Sequence, residues 1–130
     1  MQHNPQYEDC VADVIAFLLQ RVEACVQGGI ARSEIALDPG FGFGKTLEHN
    51  YQLFNAIPTF LELSFPLLIG VSRKSMLGAV TDKPVDQRLA SSIAAATMAA
   101  QYGAHIIRVH DVDETVDALK VVSATQKLLK

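Results

Sequence analysis

The sequence predicts an α/β fold in which parallel strands are joined by helical crossovers. Three observations predict it. Short apolar runs at 34–37, 66–71 and 105–109 have the length of buried strands. Segments with apolar residues three and four apart lie before and between them, as crossover helices require. Every chemically suggestive cluster in the chain follows the C-terminal end of one of these runs, where the loops of such folds build their sites. Strands that alternate with helices pair in parallel through right-handed connections, so all three point the same way.

Residues 9–27 place Val11, Val14, Ile15, Leu18, Val22 and Cys25 on one helical face, and Gly28-Gly29 stops that helix. The run at 34–37 ends at Asp38-Pro39-Gly40. A second helix is expected at 48–57, stopped by Pro58 because the residue before a proline avoids the helical region. The strand at 66–71 ends at Ser72-Arg73-Lys74-Ser75, which opens a helical turn. Residues 87–102 read as a helix of small side chains closed by Gly103, and the strand at 105–109 leads into His110-Asp111. A last helix at 113–128 carries acids in its first turn and Lys127 near its end, the polarity the helix dipole favours. No linker or low-complexity tract divides the chain, so residues 1–130 are read as one domain.

With 49% hydrophobic and 19% charged residues, the chain has the material for a core. Eleven Lys and Arg against fourteen Asp and Glu give a net charge of -3, and the bases are scattered, which argues against a nucleic-acid surface. Apolar stretches such as 93–100 fall short of the roughly 20 residues that span a membrane. The opening MQHNPQYEDC has no basic start or leucine-rich signal core, so a soluble cytoplasmic protein is expected. Cys10 and Cys25 sit about 15 positions apart in one helix, or roughly 22 Å, too far to bridge. They are expected to be core thiols, not a metal pair.

The first cluster is Asp38-Pro39-Gly40-Phe41-Gly42-Phe43-Gly44-Lys45-Thr46. A phosphate loop of the Walker type needs a glycine where Pro39 stands, and proline has no N–H to offer. The dinucleotide pattern fails as well, because its third glycine interval is one residue short. What remains is a sharply turning backbone that can lie against a flat ligand between the rings of Phe41 and Phe43, with Asp38 able to accept paired hydrogen bonds from an N–H/NH₂ edge. The plain alternative is a tight turn whose Asp caps nearby backbone and whose Phe rings are core.

In the second cluster, Ser72-Arg73-Lys74-Ser75, two cations and two hydroxyls at the start of a helical turn suit a carboxylate or phosphate. Alternatively Ser72 is an N-cap and the bases are solvated. In the third, period-two alternation puts Arg108 and His110 on one side of the strand and Val109 on the other, an arrangement suited to a polyanion such as pyrophosphate. A packing role for His110 is the alternative, and Asp111 is read as the cap of the final helix. No zinc spacing, no G-x-S-x-G elbow and no carboxylate pair within one motif supports a hydrolase or zinc reading.

Taken together, LDPGFGFGK, GVSRKS and IIRVHDV resemble the dihydropteroate synthases in order, spacing and flanking residues. Met1-Gln2-His3-Asn4-Pro5 is similar to that family's M-Q-x-N-P segment. The resemblance implies a TIM (β/α)₈ barrel of roughly twice this length. This chain would then supply its last three β/α units, as a C-terminal fragment of the pterin-binding domain. It implies a transferase that condenses 7,8-dihydropterin-6-ylmethyl diphosphate with p-aminobenzoate, uses Mg²⁺, and is inhibited by sulfonamides. Asp38 would bind the amino-pyrimidine edge of the pterin. Lys74 would reach both pterin and aminobenzoate, with Gly70 and Arg73 beside it. Ser75 would take the aminobenzoate carboxylate, Phe41 and Phe43 would pack near the rings, and Arg108 and His110 would hold the leaving diphosphate. Lys74, Arg108 and His110 form the catalytic set so implied.

The same resemblance puts the Mg²⁺ ligand, further pterin contacts and two mobile loops in an N-terminal part this sequence lacks, so no metal ligand and no turnover are expected of these residues alone. A barrel cut in this way leaves open strand edges and bare apolar helix faces, and a homo-oligomer is expected. Two other readings compete: the pterin-binding domain of a methyltetrahydrofolate methyltransferase, which has no need of the SRKS and RVH anion sites, and a module that binds ligand or itself without catalysis.

Overall fold

The computed structural model describes residues 9–42 and 44–128. Phe43 and the M-Q-x-N-P segment lie outside the described residues. Helix α1 (Cys10–Gln27) is capped by the Asp9 carboxylate, which accepts the Ala12 N–H at 3.0 Å. It ends where Gly29 takes φ +102°, a conformation open to glycine at little cost. Its expected face is the one that packs: Cys10, Val14 and Val22 are buried, with Val11, Ile15 and Leu18 partly so. Both cysteines are free thiols; Cys10 belongs to the core and burial raises its pKa, whereas Cys25 is half-buried.

The expected strand at 34–37 shrinks to a single parallel bridge between Leu37 and Leu67. Glu34 is taken instead by a 3-10 turn (Arg32–Glu34), in which its N–H bonds to the Ala31 carbonyl and its carboxylate accepts the Ala31 N–H. Beyond Leu37 the chain turns at once, since Pro39 has no N–H to continue a ladder. Helix α2 (Leu47–Asn55) is capped by Thr46 and ends before Pro58 is reached. Pro58 is not its terminator. It sits in the first turn of α3 (Ile57–Leu61), where a missing N–H costs nothing.

Strand β1 (Leu68–Ile69) pairs in parallel with β2 (Ile106–Ile107), Leu68 opposite Ile106 and Ile69 opposite Ile107. Both are shorter than the apolar runs that announced them. With the Leu37 bridge on its other side, β1 is the middle of three parallel segments, as the fold class requires. Helix α4 (Ser75–Thr81) follows β1, and a 3-10 turn (Val85–Gln87) leads into α5 (Leu89–Tyr102), closed by Gly103 at φ +111°. Helix α6 (Val112–Leu128) packs on α5. The fully buried side chains Phe41, Leu53, Ile57, Phe60, Leu67 and Ile69 place the core between the strands and α2, α3 and α5. No described helix is long and apolar enough to cross a membrane.

Candidate active site

Three loops follow the three parallel segments and meet at one end of the structure. In the first, Asp38 closes a short turn by accepting the Gly40 N–H at 2.9 Å, and Gly40, Gly42 and Gly44 all adopt positive φ (+76°, +98° and +74°). Such a run of left-handed residues is why alternate glycines stand here. Buried Asn50 accepts the Gly42 N–H at 2.8 Å and donates to the Thr46 carbonyl at 3.0 Å, tying the loop to α2. Lys45 donates to the Gly40 carbonyl at 2.7 Å, and burial lowers its pKa. Phe41 is a correction to its expected ligand contact: its ring is 1% exposed and packs 6.0 Å from that of Phe54. Its carbonyl oxygen accepts a hydrogen bond from Lys74 Nζ at 2.9 Å.

The second loop contains Arg73 at φ +60°, a strained conformation for a residue with a side chain. Two contacts hold it there. The Arg73 N–H donates to Ser92 Oγ at 2.9 Å, and Arg88 donates to the Arg73 carbonyl at 2.8 Å. Arg88 fits because Gly78 leaves room: a Cβ there would collide with its guanidinium. Lys74, not Ser72, occupies the N-cap position of α4, with Ser75 exposed as the first helical residue. Burial, and next the neighbouring Arg108, lowers the Lys74 pKa, while Asp38 opposes them.

In the third loop Arg108 extends the pairing of β2, its N–H donating to the Ile69 carbonyl at 3.0 Å. Its guanidinium passes over Gly70 and approaches Asp38, Nη1 lying 3.7 Å from Oδ2. His110 turns to the second loop, where Ser72 Oγ lies 2.9 Å from its Nδ1 and accepts its backbone N–H at 3.3 Å. Asp111 also departs from expectation. Its carbonyl serves the start of α6 by accepting from Thr115, but its carboxylate pairs with Arg73, at 2.9 Å from Nη2 and 3.4 Å from Nε. Ser72, read as an anion-binding hydroxyl or an N-cap, instead joins His110, and Asn50 and Arg88 were not singled out by their types or spacing; the partners of Ser72 and Arg88 lie in other loops.

Gly70, Ser72, Lys74, Arg108, Val109 and His110 surround a cavity of about 90 Å³. Lys74 and Arg108 give it positive character, and Asp38 stands beside Arg108 at the edge of a larger hollow against α1. The arrangement can bind an anion between two cations and present a carboxylate to a polar heterocycle next to it. Among the described residues no group of three or more His, Cys, Asp or Glu gathers to hold a metal ion.

A family model described as pterin binding enzyme matches residues 1–110. The chain belongs to that family. Among curated members, the dihydropteroate synthase of Haemophilus influenzae is 54% identical over 125 residues, covering 96% of this chain and 46% of the relative. The Escherichia coli dihydropteroate synthase is 50% identical over 96% of this chain and 44% of its own length. A crystal structure of the Yersinia pestis dihydropteroate synthase with a sulfonamide drug superposes with a TM-score of 0.94 at 49% identity, covering 98% of this chain and 46% of that one. The Xanthomonas albilineans dihydropteroate synthase in complex with 7,8-dihydropteroate gives 0.91 at 47% identity, over 94% and 46%. The chain thus spans about half the length of the pterin-binding enzymes it matches. Its three parallel segments are a C-terminal part of their TIM barrel.

Proposed function

We propose that this chain supplies the C-terminal half of a dihydropteroate synthase active site. The reaction joins 7,8-dihydropterin-6-ylmethyl diphosphate to p-aminobenzoate and releases 7,8-dihydropteroate and diphosphate, in the cytoplasm, as a step of folate biosynthesis. The observation that carries the reading is the convergence of Lys74, Arg108 and His110 around one small cavity with Asp38 beside it. A methyltransferase site would need the carboxylate but not the anion clamp.

In this reading Asp38 holds the amino-pyrimidine edge of the pterin and Arg108 and His110 hold the diphosphate. Lys74 lies between them, and Ser75 meets the aminobenzoate carboxylate, the place that sulfonamides would contest. The C–O bond between the pterin methylene and diphosphate breaks as the aminobenzoate nitrogen attacks. Cations fixed before the reaction stabilise the charge growing on the leaving group, and no covalent link to the protein is needed. Mg²⁺ belongs to the proposal through the family resemblance alone.

Ile106 on β2 and Phe17, Val80 and Met98 on the helices are exposed apolar side chains, so the 130-residue chain by itself should self-associate. Diphosphate release dependent on p-aminobenzoate, measured on the full-length protein, tests the function. Lys74→Ala and Arg108→Ala should depress turnover while keeping a cooperative unfolding transition. Light scattering on the 130-residue chain should give a dimer or larger species that releases no diphosphate. An active monomer of that length would overturn the division of labour proposed.

A further inference from the structure

Ser72 is a buried hydroxyl, 8% exposed, that joins two loops 38 positions apart in sequence. Its oxygen accepts the backbone N–H of His110 at 3.3 Å and lies 2.9 Å from the ring Nδ1. A hydroxyl has one proton and two lone pairs, so it can serve either form of the ring. Ser72 Oγ has no hydrogen-bond partner other than His110 among the described residues. Its proton therefore finds an acceptor at Nδ1 of a neutral imidazole, which leaves the ring proton on Nε2; the other tautomer would leave that buried O–H unpaired. From an imidazolium the hydroxyl accepts the Nδ1 proton, and Nε2 again carries one.

We propose that Ser72 is a positioning residue: it pins His110 through Nδ1 and so keeps Nε2 an N–H donor toward the anion cavity in both protonation states. The ring lines that cavity with Lys74 and Arg108, while Arg73 and Asp111 are engaged with each other beside it. With Nδ1 held by Ser72, Nε2 is the ring nitrogen left for a ligand. A lone pair presented there would repel phosphate oxygen, whereas an N–H attracts it. Alanine at position 72 would also leave the His110 backbone N–H without its acceptor. The inference rests on the anion-site reading above.

The test uses the full-length protein, with inorganic pyrophosphate as probe and two-bond proton–nitrogen correlation of the histidine rings as the spectroscopic readout. The wild type should show His110 in the Nε2–H form at a pH where the ring is neutral. Ser72→Ala should mix the tautomers and weaken pyrophosphate binding by about 3- to 10-fold, the range one net hydrogen bond covers. Ser72→Thr, which keeps the hydroxyl, should restore both. A wild-type ring protonated on Nδ1 alone overturns the inference, and that reading needs no variant to fold. Binding that responds to Arg108→Ala but ignores Ser72→Ala also overturns it, and leaves the anion site standing. Pyrophosphate that fails to bind the wild type removes the anion site, and this inference with it.

Discussion

One methyl group, added by Gly70→Ala, tests how the anion clamp is set. An ideal Cβ at Gly70 would lie 2.6 Å from Arg108 Nη2 and 2.9 Å from both Cζ and Nε, closer than carbon and nitrogen can approach without movement. Gly70 is not among the positive-φ glycines, so alanine can adopt its backbone conformation. What must yield is the guanidinium, whose side chain is 58% exposed and whose pair with Asp38 is long at 3.7 Å. Losing an exposed pair of that kind costs at most about 1 kcal/mol. Removing a glycine from the unfolded chain returns about 0.4–1 kcal/mol. Stability should therefore stay within about 1 kcal/mol of wild type. Binding should not, because a charge-assisted hydrogen bond to phosphate is worth about 1.5–3 kcal/mol, or roughly 10- to 100-fold in affinity. Calorimetric titration of the full-length protein with pyrophosphate, alongside thermal melts, separates the two. Retained affinity would refute the claim that Gly70 sets the place of Arg108. A stability loss beyond about 3 kcal/mol would mean that the space above Gly70 belongs to core packing.

Asp38→Asn should weaken pterin binding by roughly 10- to 100-fold, since a neutral amide loses the charge-assisted pair, and calorimetry with a pterin ligand checks it. The lowered pKa of Lys74 means that its charge is lost before that of an ordinary lysine at 10.5, so pyrophosphate affinity should fall earlier on the alkaline side. Stability has the opposite sign. Between the lowered folded value and the unfolded one, the unfolded chain binds more protons, so the Lys74 contribution becomes more favourable as pH rises through that window. Lys74→Arg should abolish both effects, leaving the stability shares of Lys45, whose pKa burial also lowers, and of Cys10 and Tyr51, whose pKa values burial raises and which act with the opposite sign. A double-mutant cycle on Arg73 and Asp111 should return a coupling of about 0.5–1 kcal/mol in thermal or denaturant unfolding, and a value near zero would reduce the 2.9 Å pair to a solvated contact.

Much of the frame was legible because it depends on local pattern. The face of α1 could be read from three-and-four spacing, and the loop glycines from the left-handed backbone that a tight turn imposes. Pro58 was misread because one residue type both stops a helix and begins the next, and only the surrounding packing decides which. The strands were found but drawn too long, since a ladder extends only as far as both partners stay in register. Phe41 shows the limit most clearly. An aromatic ring beside a ligand loop and one turned into the core have the same sequence signature, and the core took this one. Asp111 was read as a cap because its neighbour in sequence was a helix, whereas the arginine that binds it lies 38 positions earlier.

The contacts among the three loops differ in strength, and the difference indicates how a ligand would enter. The second and third loops are joined twice, by the two-point Arg73–Asp111 pair and by the buried Ser72 hydroxyl on His110. Strained Arg73 is held from a third side by Arg88. These bonds fix Lys74 and His110 relative to each other without using the atoms that face the cavity. The first loop meets that unit through Asp38 on Arg108, at 3.7 Å and largely solvated, and through Lys74 on the Phe41 carbonyl. An exposed pair worth at most about 1 kcal/mol yields readily to a ligand that offers both ions better partners. An anion that draws Arg108 away from Asp38 would release that carboxylate for the N–H/NH₂ edge of a heterocycle in the same event. Occupation of the anion cavity should therefore favour occupation of the Asp38 place, through a rearrangement of one side chain and no movement of the strands.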